Sequence, residues 1–342
     1  MSPVTQYVFD GRRWRNEVRV SRTSSATTPT TRMVIGTDKP NATNTGIPAG
    51  TVLKRHDGSI TVTTPGTVLE NLDIYGKVSV STTDVVIRRC RVRGNASWTK
   101  GGDSGQGLIQ CTNSAVRRLV VEDCHLKPTV PHNTVNGMLG HDFTVRRTNF
   151  EDCSDAIGTF NTANPSGAVN VVIEGCWMHS FYYIRPSDTG TRAEGTHNDC
   201  IQISGGSNYR IVGNRMDGFY NPNLGSAPLD GSPTGPYQVT GNRYFPSMTS
   251  TSALMITPNV GPVADVVIDA NWLDGGGTSL NVSEKGRGAI RGLAVTNNRF
   301  GRNQRNPSVQ GYIEAPTYDA MTRSGNILEG LVGSAVLKRV VV

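Results

Sequence analysis

The stretch Val171–Met178, VVIEGCWM, is the clearest copy of an eight-residue pattern that recurs along the chain. The third and eighth positions are nearly all apolar, the fourth and fifth are mostly polar, and the sixth is small or an amide. The other copies are Thr67–Ile74, Val85–Val92, Leu119–Leu126, Phe143–Phe150, Tyr209–Met216, Tyr237–Tyr244, Val266–Leu273, Leu293–Phe300 and a shortened copy at Ser324–Leu328. Each copy predicts a short β-strand, a turn at positions four to six, and re-entry into the core at position eight.

The sixth position forms a column that gives the period of the repeat. Its members are Leu72, Cys90, Cys124, Thr148, Cys176, Asn214, Asn242, Asn271, Asn298 and Asn326. Successive members are 18, 34, 24, 28, 38, 28, 29, 27 and 28 residues apart. A strand-like pattern with this period indicates a solenoid, and no 3.6-residue helical period persists.

The residues of the column suit a parallel stack of strands. Stacking places equivalent residues about 4.8 Å apart, so the asparagines can bond along the stack as amide ladders do. Thiols fill the same position as small buried groups. No cysteine spacing matches a zinc or CxxC site, so all six cysteines are predicted to be reduced core residues. They are Cys90, Cys111, Cys124, Cys153, Cys176 and Cys200.

The column and the aliphatic residues at position three resemble the right-handed parallel β-helix of the pectate-lyase-like superfamily. Those aliphatic residues are Leu69, Ile87, Val121, Val145, Ile173, Ile211, Val239, Ile268 and Val295. The resemblance covers roughly Ile47 to the C-terminus. It implies an all-β chain that forms a single-stranded right-handed parallel β-helix solenoid of about ten coils. Because this fold hosts lyases, hydrolases, epimerases and inert adhesins, it implies no single activity.

Composition divides the chain into three parts. Residues 1–20 form a predicted N-terminal anchor, residues 21–35 a Ser/Thr/Pro-rich linker, and residues 36–342 the β-helix. The linker has almost nothing to bury and is expected to act as a tether. Residues 1–20 contain no apolar signal core, so export by a signal peptide is not expected. The chain has no run of 18 apolar residues, so no membrane span is expected.

The anchor is predicted to be a small β-hairpin. Asp10-Gly11 predicts a type I′ turn between two arms that carry apolar residues. A hairpin of this size is not stable alone, so Tyr7, Phe9 and Trp14 are predicted to dock onto a partner.

Two N-terminal segments resemble minor tail proteins and tailspikes of phages that infect actinobacteria. They are YVFDGRRW at Tyr7–Trp14 and the entry segment GTDKPNATNTGIPAG at Gly36–Gly50. The resemblance implies a virion component that is made in the host cytoplasm and docks to other tail proteins through its N-terminal segment. It also implies contact with host cell-wall polysaccharide and assembly as a homotrimer. The alternative is a bacterial protein whose first residues cap the solenoid.

The net charge of +7 comes largely from arginine pairs in turns. The pairs are Arg88/Arg89, Arg117/Arg118 and Arg146/Arg147. They are either solvated turns or a basic stripe that meets an acidic polymer carrying phosphate or uronate. A nucleic-acid partner is not expected, because no recognition module is present and aromatic residues make up only 6% of the chain.

Two long segments interrupt the period. Arg93–Gly107 carries Trp98, and His179–His197 carries Phe181, Tyr182, Tyr183 and Arg185. Insertions in solenoids leave one face and often build the binding site. The aromatic residues either stack against sugars or pack on the β-helix, which we call the shaft.

The candidate catalytic residues lie around the phrase HNDCIQISGG at His197–Gly206. Asp199 aligns with Asp155 one coil earlier. Two stacked carboxylates about 5 Å apart would split their pKa values as an acid/base pair, or hold a cation. Asp199 can instead cap backbone N–H groups in a turn. With His197 and Arg185, these two aspartates form the candidate catalytic set.

The same alignment gives an outward row on the strand of Ile201. The row is Gln110, Gly158, Gln202, Met255, Asn281 and Glu314. Its polar members Gln110, Gln202, Asn281 and Glu314, together with Trp98, Tyr182 and Tyr183, are the predicted glycan-binding residues.

Two main functions remain open. The first is an adhesive virion protein, and the second is a polysaccharide lyase or glycoside hydrolase acting as a depolymerase. The Gly-His-Gly and Arg-x-Lys triplets of β-helix polygalacturonases are absent, which favours the first. No metal site or cofactor is predicted, and Ca²⁺ enters only under the lyase alternative, through Asp155, Asp199 and Arg185. A cytoplasmic carbohydrate-active protein without a virion role is a third possibility.

Overall fold

The computed structural model describes residues 5–9, 14–18, 33–95, 106–130, 134–181, 197–218, 252–301, 304, 312–316, 318–329 and 339–340. For residues 5–9, 14–18 and 339–340 it describes the backbone alone. The described chain is all-β apart from one 3₁₀ helix at Tyr318–Ala320. An N-terminal hairpin pairs β1 (Thr5–Phe9) with β2 (Trp14–Val18), and the other strands form three parallel sheets.

Each coil contributes one strand to each sheet, and neighbouring strands are three elements apart in the chain. Sheet 1 contains β4 (Ile60–Val62), β7 (Val78–Val80), β10 (Gln106–Cys111), β13 (Val135–Gly140), β16 (Ile157–Thr159), β19 (Ile201–Ile203), β22 (Leu254–Ile256), β25 (Leu280–Val282), β28 (Ile313–Glu314) and β31 (Arg339–Val340). Sheet 2 contains β5 (Val68–Glu70), β8 (Val86–Arg88), β11 (Leu119–Glu122), β14 (Phe143–Arg146), β17 (Ala168–Glu174), β20 (Gly206–Val212), β23 (Val263–Asp269), β26 (Arg291–Thr296) and β29 (Thr322–Ser324). Sheet 3 contains β3 (Lys54–Asp57), β6 (Leu72–Tyr75), β9 (Arg91–Val92), β12 (His125–Leu126), β15 (Asn149–Glu151), β18 (Trp177–His179), β21 (Arg215–Gly218), β24 (Trp272–Gly275), β27 (Arg299–Phe300) and β30 (Ile327–Leu328).

The three stacked sheets confirm the predicted all-β parallel β-helix of about ten coils. The repeated pattern is the passage from sheet 2 to sheet 3. Its third position lies in register on neighbouring coils, as Val145, Ile173 and Ile211 do. These side chains are fully buried, because alternate residues of each strand face the interior. The inward residues of all coils form one continuous core.

The amide ladder of the sixth position is confirmed. Asn214 donates through Nδ2 to Oδ1 of Asn271 at 3.0 Å, and Asn271 donates in the same way to Asn298 at 3.0 Å. Asn298 continues the ladder to Asn326 at 3.0 Å. The six cysteines are free and buried, as predicted. Each buried amide group thus meets a partner on the next coil, which buried polar groups require.

The prediction that Tyr237–Tyr244 forms a coil between its two neighbouring copies is wrong. Asn214 bonds directly to Asn271, and β21 pairs with β24. No position remains in the column for Asn242. Residues 219–251 lie outside the described residues, and the coils on either side of them are already adjacent in the stack.

The fifth position of every described copy adopts positive φ, between 46° and 65°. A left-handed residue reverses the chain sharply enough for sheet 2 to pass to sheet 3 within two residues. Most copies use Asn, Asp or Arg there, whereas Gly175 and Gly213 occupy it on two neighbouring coils. A Cβ atom on Gly175 would lie 2.5 Å from Met33 Cε, and one on Gly213 would lie 2.3 Å from Gly36 N. Glycine is therefore required at Gly213, where backbone atoms cross the turn, whereas the flexible end of the Met33 side chain can yield at Gly175.

The entry segment is longer in the structure than the predicted Gly36–Gly50. It comprises residues 33–53 and runs along the outside of the corner between sheets 2 and 3. Lys39 Nζ pairs with Glu329 Oε1 at 2.7 Å near the last coil. The segment then returns past Arg147, whose carbonyl accepts from Gly46 N at 2.8 Å. It joins the first coil where Lys54 N donates to Asn71 O. Met33 is only 8% exposed and lies beside the turn of Gly175. The N-terminal hairpin lies elsewhere on the shaft, because β1 is next to β5, the first strand of sheet 2.

The N-terminal hairpin is confirmed, but its predicted turn is wrong. Phe9 pairs with Trp14, so four residues connect the strands, and a two-residue Asp10-Gly11 turn would have paired Phe9 with Arg12. The strands form a separate two-stranded antiparallel sheet. The side chains of Tyr7, Phe9 and Trp14 lie outside the described residues, so their docking role stays a prediction.

Candidate functional site

The longest connections of the β-helix leave from the corner where sheet 3 passes to sheet 1. They are residues 93–105, 180–200, 219–253 and 301–312, which follow β9, β18, β21 and β27. Because these four strands are stacked in sheet 3, the four insertions start along one edge of the shaft. We refer to this edge as the insertion corner.

Besides His197 and Asp199 at the end of the second insertion, four predicted site residues belong to these insertions. Trp98 lies in the first insertion, and Tyr182, Tyr183 and Arg185 lie in the second. All four fall outside the described residues, so only the edge from which their segments start is known. Phe181, the first aromatic residue of the second insertion, is 1% exposed and packs in the core.

Asp155 and Asp199 lie at the insertion corner in the predicted register. Ile157 pairs with Ile201, which places the two aspartates at equivalent positions on adjacent coils. Asp155 Oδ1 accepts from Asp199 N at 2.9 Å, and Asp199 Oδ1 accepts from Ser252 N at 2.8 Å. The half-buried His197 stands two residues before Asp199. The structure thus brings three of the four candidate catalytic residues to one corner.

The hydrogen bonds of the two aspartates continue a ladder that begins with an amide. Asn136 Oδ1 accepts from Asp155 N at 3.4 Å on the preceding coil. Each side chain therefore caps the backbone N–H of the equivalent residue on the next coil. Accepting an N–H bond stabilises the charged carboxylate, and Asp199 is only 3% exposed. This geometry favours the capping interpretation over a proton-transfer pair.

The predicted outward row on sheet 1 is interrupted. Leu139 of β13 pairs with both Gln110 and Gly158, so Gln110 and Gly158 are not on adjacent coils as predicted. The sequence predicted this coil through its copy Phe143–Phe150 but missed its sheet 1 strand, β13. Further along, Gln202 lies between Gly158 and Met255.

The polar residues of this row therefore form separate patches. Asn281 Nδ2 donates to Glu314 Oε2 at 3.3 Å, and Thr278 Oγ1 lies 3.1 Å from the same oxygen. Gln110 Nε2 donates to Thr112 Oγ1 at 3.3 Å on its own strand. The polar residues of the row are thus Gln110, Gln202 and the Asn281–Glu314 pair, in three separate places on sheet 1.

Sequence reasoning missed a cluster on the outer face of sheet 3. The Trp177 ring stacks on His179 with centroids 3.8 Å apart, and the Arg215 guanidinium lies 4.8 Å from the Trp177 ring centroid. Asp217 accepts from Trp177 Nε1 at 2.9 Å and pairs with Arg215 at 2.8 Å. The signal was the seventh position of the pattern, which points outward on sheet 3 and carries Trp177 and Arg215.

His179 of this cluster is neutral at pH 7, whereas the neighbouring Glu151 is ionised. Burial lowers the pKa of His179 to about 4, so the ring is neutral at pH 7. Its Nε2 lies 2.9 Å from Asn149 Oδ1. The His125 and Lys127 side chains, 3.1 and 2.7 Å from the carboxylate of Glu151, lower the pKa of Glu151 to about 2. An ionised carboxylate and a neutral imidazole thus lie on adjacent strands, next to the second insertion.

His179 predicts a loss of stability in mild acid. Its folded pKa of about 4 lies below the ordinary 6.5, so the unfolded chain binds this proton first. Stability should therefore fall as pH drops from about 6.5 to about 4, by on the order of 3 kcal/mol. Urea unfolding at pH 7.5 and 5 should show about 2 kcal/mol of this fall, because pH 5 lies between the two pKa values. His179→Gln keeps a donor for Asn149 and should flatten it, and equal slopes for both proteins would contradict the assignment.

The arginine pairs of the turns are ion-paired across coils. Arg88 pairs with Glu70 at 2.8 Å and Arg146 with Glu122 at 2.9 Å. Arg147, 7% exposed at its side chain, pairs with Asp123 at 2.6 Å. The outward residues of sheet 2 therefore alternate in charge, which argues against a basic stripe.

Neither a metal site nor a membrane-spanning helix is found in the described residues. No group of three or more His, Cys, Asp or Glu side chains within them is placed to hold a metal ion. No helix in the same ranges is long and apolar enough to cross a membrane. Comparison of the chain with protein-family models, with curated proteins and with solved structures gives no match.

Proposed function

We propose that the chain is a phage minor tail protein or tailspike-like virion component whose β-helix contacts a cell-surface glycan of an actinobacterial host. The observation that carries the proposal is the insertion corner: four insertions start along one edge of a long parallel β-helix. Hydrogen-bonding patches at Gln202 and at Asn281–Glu314 lie on the neighbouring sheet 1. An extended polymer can contact several coils of such an edge at once, and several weak contacts made together give a higher overall affinity than any one of them.

The N-terminal part supports attachment to another protein. The hairpin forms its own antiparallel sheet beside β5 of the shaft without joining sheet 2, and a hairpin alone is marginal in water. A docking partner from the tail or from the other copies of a homotrimer would bury it. Residues 33–53, which precede the first coil, pack against the turns at the corner between sheets 2 and 3.

The alternative is a depolymerase on the same scaffold. His197, Asp155 and Asp199 at the insertion corner support it, and Arg185 belongs to the insertion that starts there. A lyase of this type would use Ca²⁺ and a basic arginine. The backbone hydrogen bonds of both carboxylates support the recognition role instead.

A combined binding and cleavage assay separates the two functions. Purified protein is incubated with actinobacterial cell walls, with and without Ca²⁺, and then sedimented. New reducing ends and the absorbance of unsaturated uronates are followed in the supernatant. Co-sedimentation without product is expected. Product formation would favour the depolymerase, and absence of both binding and product would contradict both functions.

Two substitutions at Asp199 distinguish capping from catalysis. Asp199→Asn keeps an oxygen that accepts from Ser252 N, as Asn136 does for Asp155, so stability should change by less than about 1 kcal/mol. Asp199→Ala leaves that N–H, on a residue 1% exposed, without its acceptor and should cost about 1–3 kcal/mol. Thermal unfolding measures both. Equal losses would contradict capping, and cleavage activity abolished by Asp199→Asn would establish a catalytic carboxylate.

A further inference from the structure

A cleft lies at a different edge of the shaft, at the corner between sheets 1 and 2. Its volume is about 200 Å³, comparable to the liquid volume of roughly seven waters at ~30 Å³ each. That is the room for a single monosaccharide ring. Its polar lining is Ser166, Ser207, Asp265, Arg287 and Arg291, and its apolar lining includes Pro258, Pro262 and Ile290.

Small outward side chains on sheet 2 create the floor of the cleft. Ser207, Ala264 and Arg291 lie in register on successive coils. The first two are small, so the longer Arg291 closes one end of the space above them. Asp265 follows Ala264 and adopts φ of 53°, and its Oδ1 lies 2.6 Å from the position of a Cβ atom added to Gly292, the residue after Arg291.

Hydrogen bonds hold the walls of the cleft in place. Arg287 Nε donates to Pro258 O at 2.7 Å, linking two neighbouring connections. Gly206 N donates to Pro262 O at 2.8 Å, and Ser283 N donates to Ile256 O at 2.8 Å. A preformed cleft of this kind loses little conformational freedom when a ligand binds.

The charges in the cleft differ from those elsewhere on the shaft. On the coils before it, carboxylates pair with arginines of adjacent strands: Asp84 with Arg118 at 2.7 Å and Glu122 with Arg146 at 2.9 Å. Asp265 and Arg291 also lie on adjacent strands, yet the described residues give neither of them an ion pair or a side-chain hydrogen bond. A free carboxylate and a free guanidinium therefore face the same small space.

We propose that this cleft binds a carboxylate-bearing monosaccharide unit of an acidic glycan. The Arg291 guanidinium receives the sugar carboxylate in a charge-assisted pair. Asp265 accepts hydrogen bonds from ring hydroxyls, and Pro258 and Pro262 contact the apolar C–H face of the ring. A compact anion such as phosphate is disfavoured, because it has few donors for Asp265 and would hold its negative charge close to that carboxylate. A sugar ring separates its carboxylate from the hydroxyls that donate to Asp265.

The inference deepens the proposed glycan recognition and rests on it, because it names the sugar class and a second contact edge. Isothermal titration calorimetry with methyl β-glucuronide tests it directly, with methyl β-glucoside as the uncharged control. The glucuronide is expected to bind in the millimolar range and the glucoside at least roughly ten-fold more weakly. Arg291→Ala should weaken glucuronide binding by roughly ten-fold or more, because one charged hydrogen-bond partner is lost.

Matched variants keep the test specific. Arg210→Ala removes another exposed arginine of sheet 2 that does not line the cleft, and it should leave binding unchanged. Ala289→Trp fills the cleft from an exposed position and should abolish binding. No saturable binding, or equal binding in wild type and Arg291→Ala, would overturn the cleft assignment. Retained co-sedimentation with cell walls in that case would leave the proposed function standing, and loss of both would overturn both.

Discussion

Replacing Asn271 by aspartate should cost about 3–5 kcal/mol of unfolding free energy at pH 7, because it leaves a buried charge without compensation. Asn271 is fully buried. Its Nδ2 donates to Asn298 Oδ1 at 3.0 Å and to Ile211 O at 2.9 Å. In the aspartate variant both oxygens would face a carboxylate oxygen instead of a donor. Urea unfolding at pH 7 measures the difference.

The pH dependence of this variant identifies the cause. Burial and the two opposing oxygens should raise the folded pKa of the new carboxyl above about 3.9. The loss of stability should therefore grow as pH rises above about 4 and shrink below it, where the protonated acid can donate. Asn259→Asp makes the same chemical change at an exposed residue and should alter stability by less than about 0.5 kcal/mol. A loss at Asn271 that is the same at pH 4 and pH 7 would contradict the ladder.

The ladder was predictable because one position of the repeat carries a chemical requirement. The sixth position sits inside the turn, where it must satisfy backbone groups of its own coil and the next. Asn298 does this with one amide: Nδ2 reaches Ile268 O at 2.9 Å, and Oδ1 accepts from Asn271 N at 3.0 Å. A column of asparagines at a regular spacing therefore indicates both the fold and its internal bonding.

The choice of stacking partner was not predictable from the same pattern. Tyr237–Tyr244 matches the repeat as well as its neighbours do, but Asn214 bonds to Asn271. A local pattern shows which residues can form a coil, and the packing of whole coils decides which of them do so. β13 is the opposite case, a strand of the stack that the sequence pattern did not predict. Val135–Gly140 lacks strand-like alternation because of its two glycines, and a Cβ atom on Gly137 would lie 2.5 Å from the Phe150 ring.

The sequence predicted which residues of the candidate site lie on adjacent coils, but it did not predict their hydrogen bonds. The alignment placed Asp155 and Asp199 on adjacent coils, as observed. It could not show that their oxygens are taken by backbone N–H groups. The sheet 3 cluster of Trp177, His179 and Arg215 was missed because the repeat is recognised by its inward positions alone. Outward positions carry no common residue type, so only the assembled stack shows which of them meet.

Replacing Gly213 by alanine should cost about 2–5 kcal/mol and loosen the entry segment. The new Cβ would lie 2.3 Å from Gly36 N and 2.8 Å from Ile35 Cγ2. Backbone atoms cannot turn aside as a flexible side chain can, so residues 33–36 must move. The loss combines about 1–2 kcal/mol for alanine in the left-handed region with about 1–3 kcal/mol for overpacking. Urea unfolding gives the total, and hydrogen exchange of peptides covering residues 33–50 reports the release.

Gly66→Ala separates the two contributions. Gly66 adopts φ of 74°, and no atom lies within 4 Å of its added Cβ, so this variant carries the backbone cost alone. It should lose about 1–2 kcal/mol and leave exchange at Gly46 N, which donates to Arg147 O, unchanged. Equal losses in both variants would mean that the entry segment yields without cost. Faster exchange in Gly213→Ala alone would show that residues 33–36 are fixed to the shaft at this turn, and that the linker therefore leaves from the side of the β-helix.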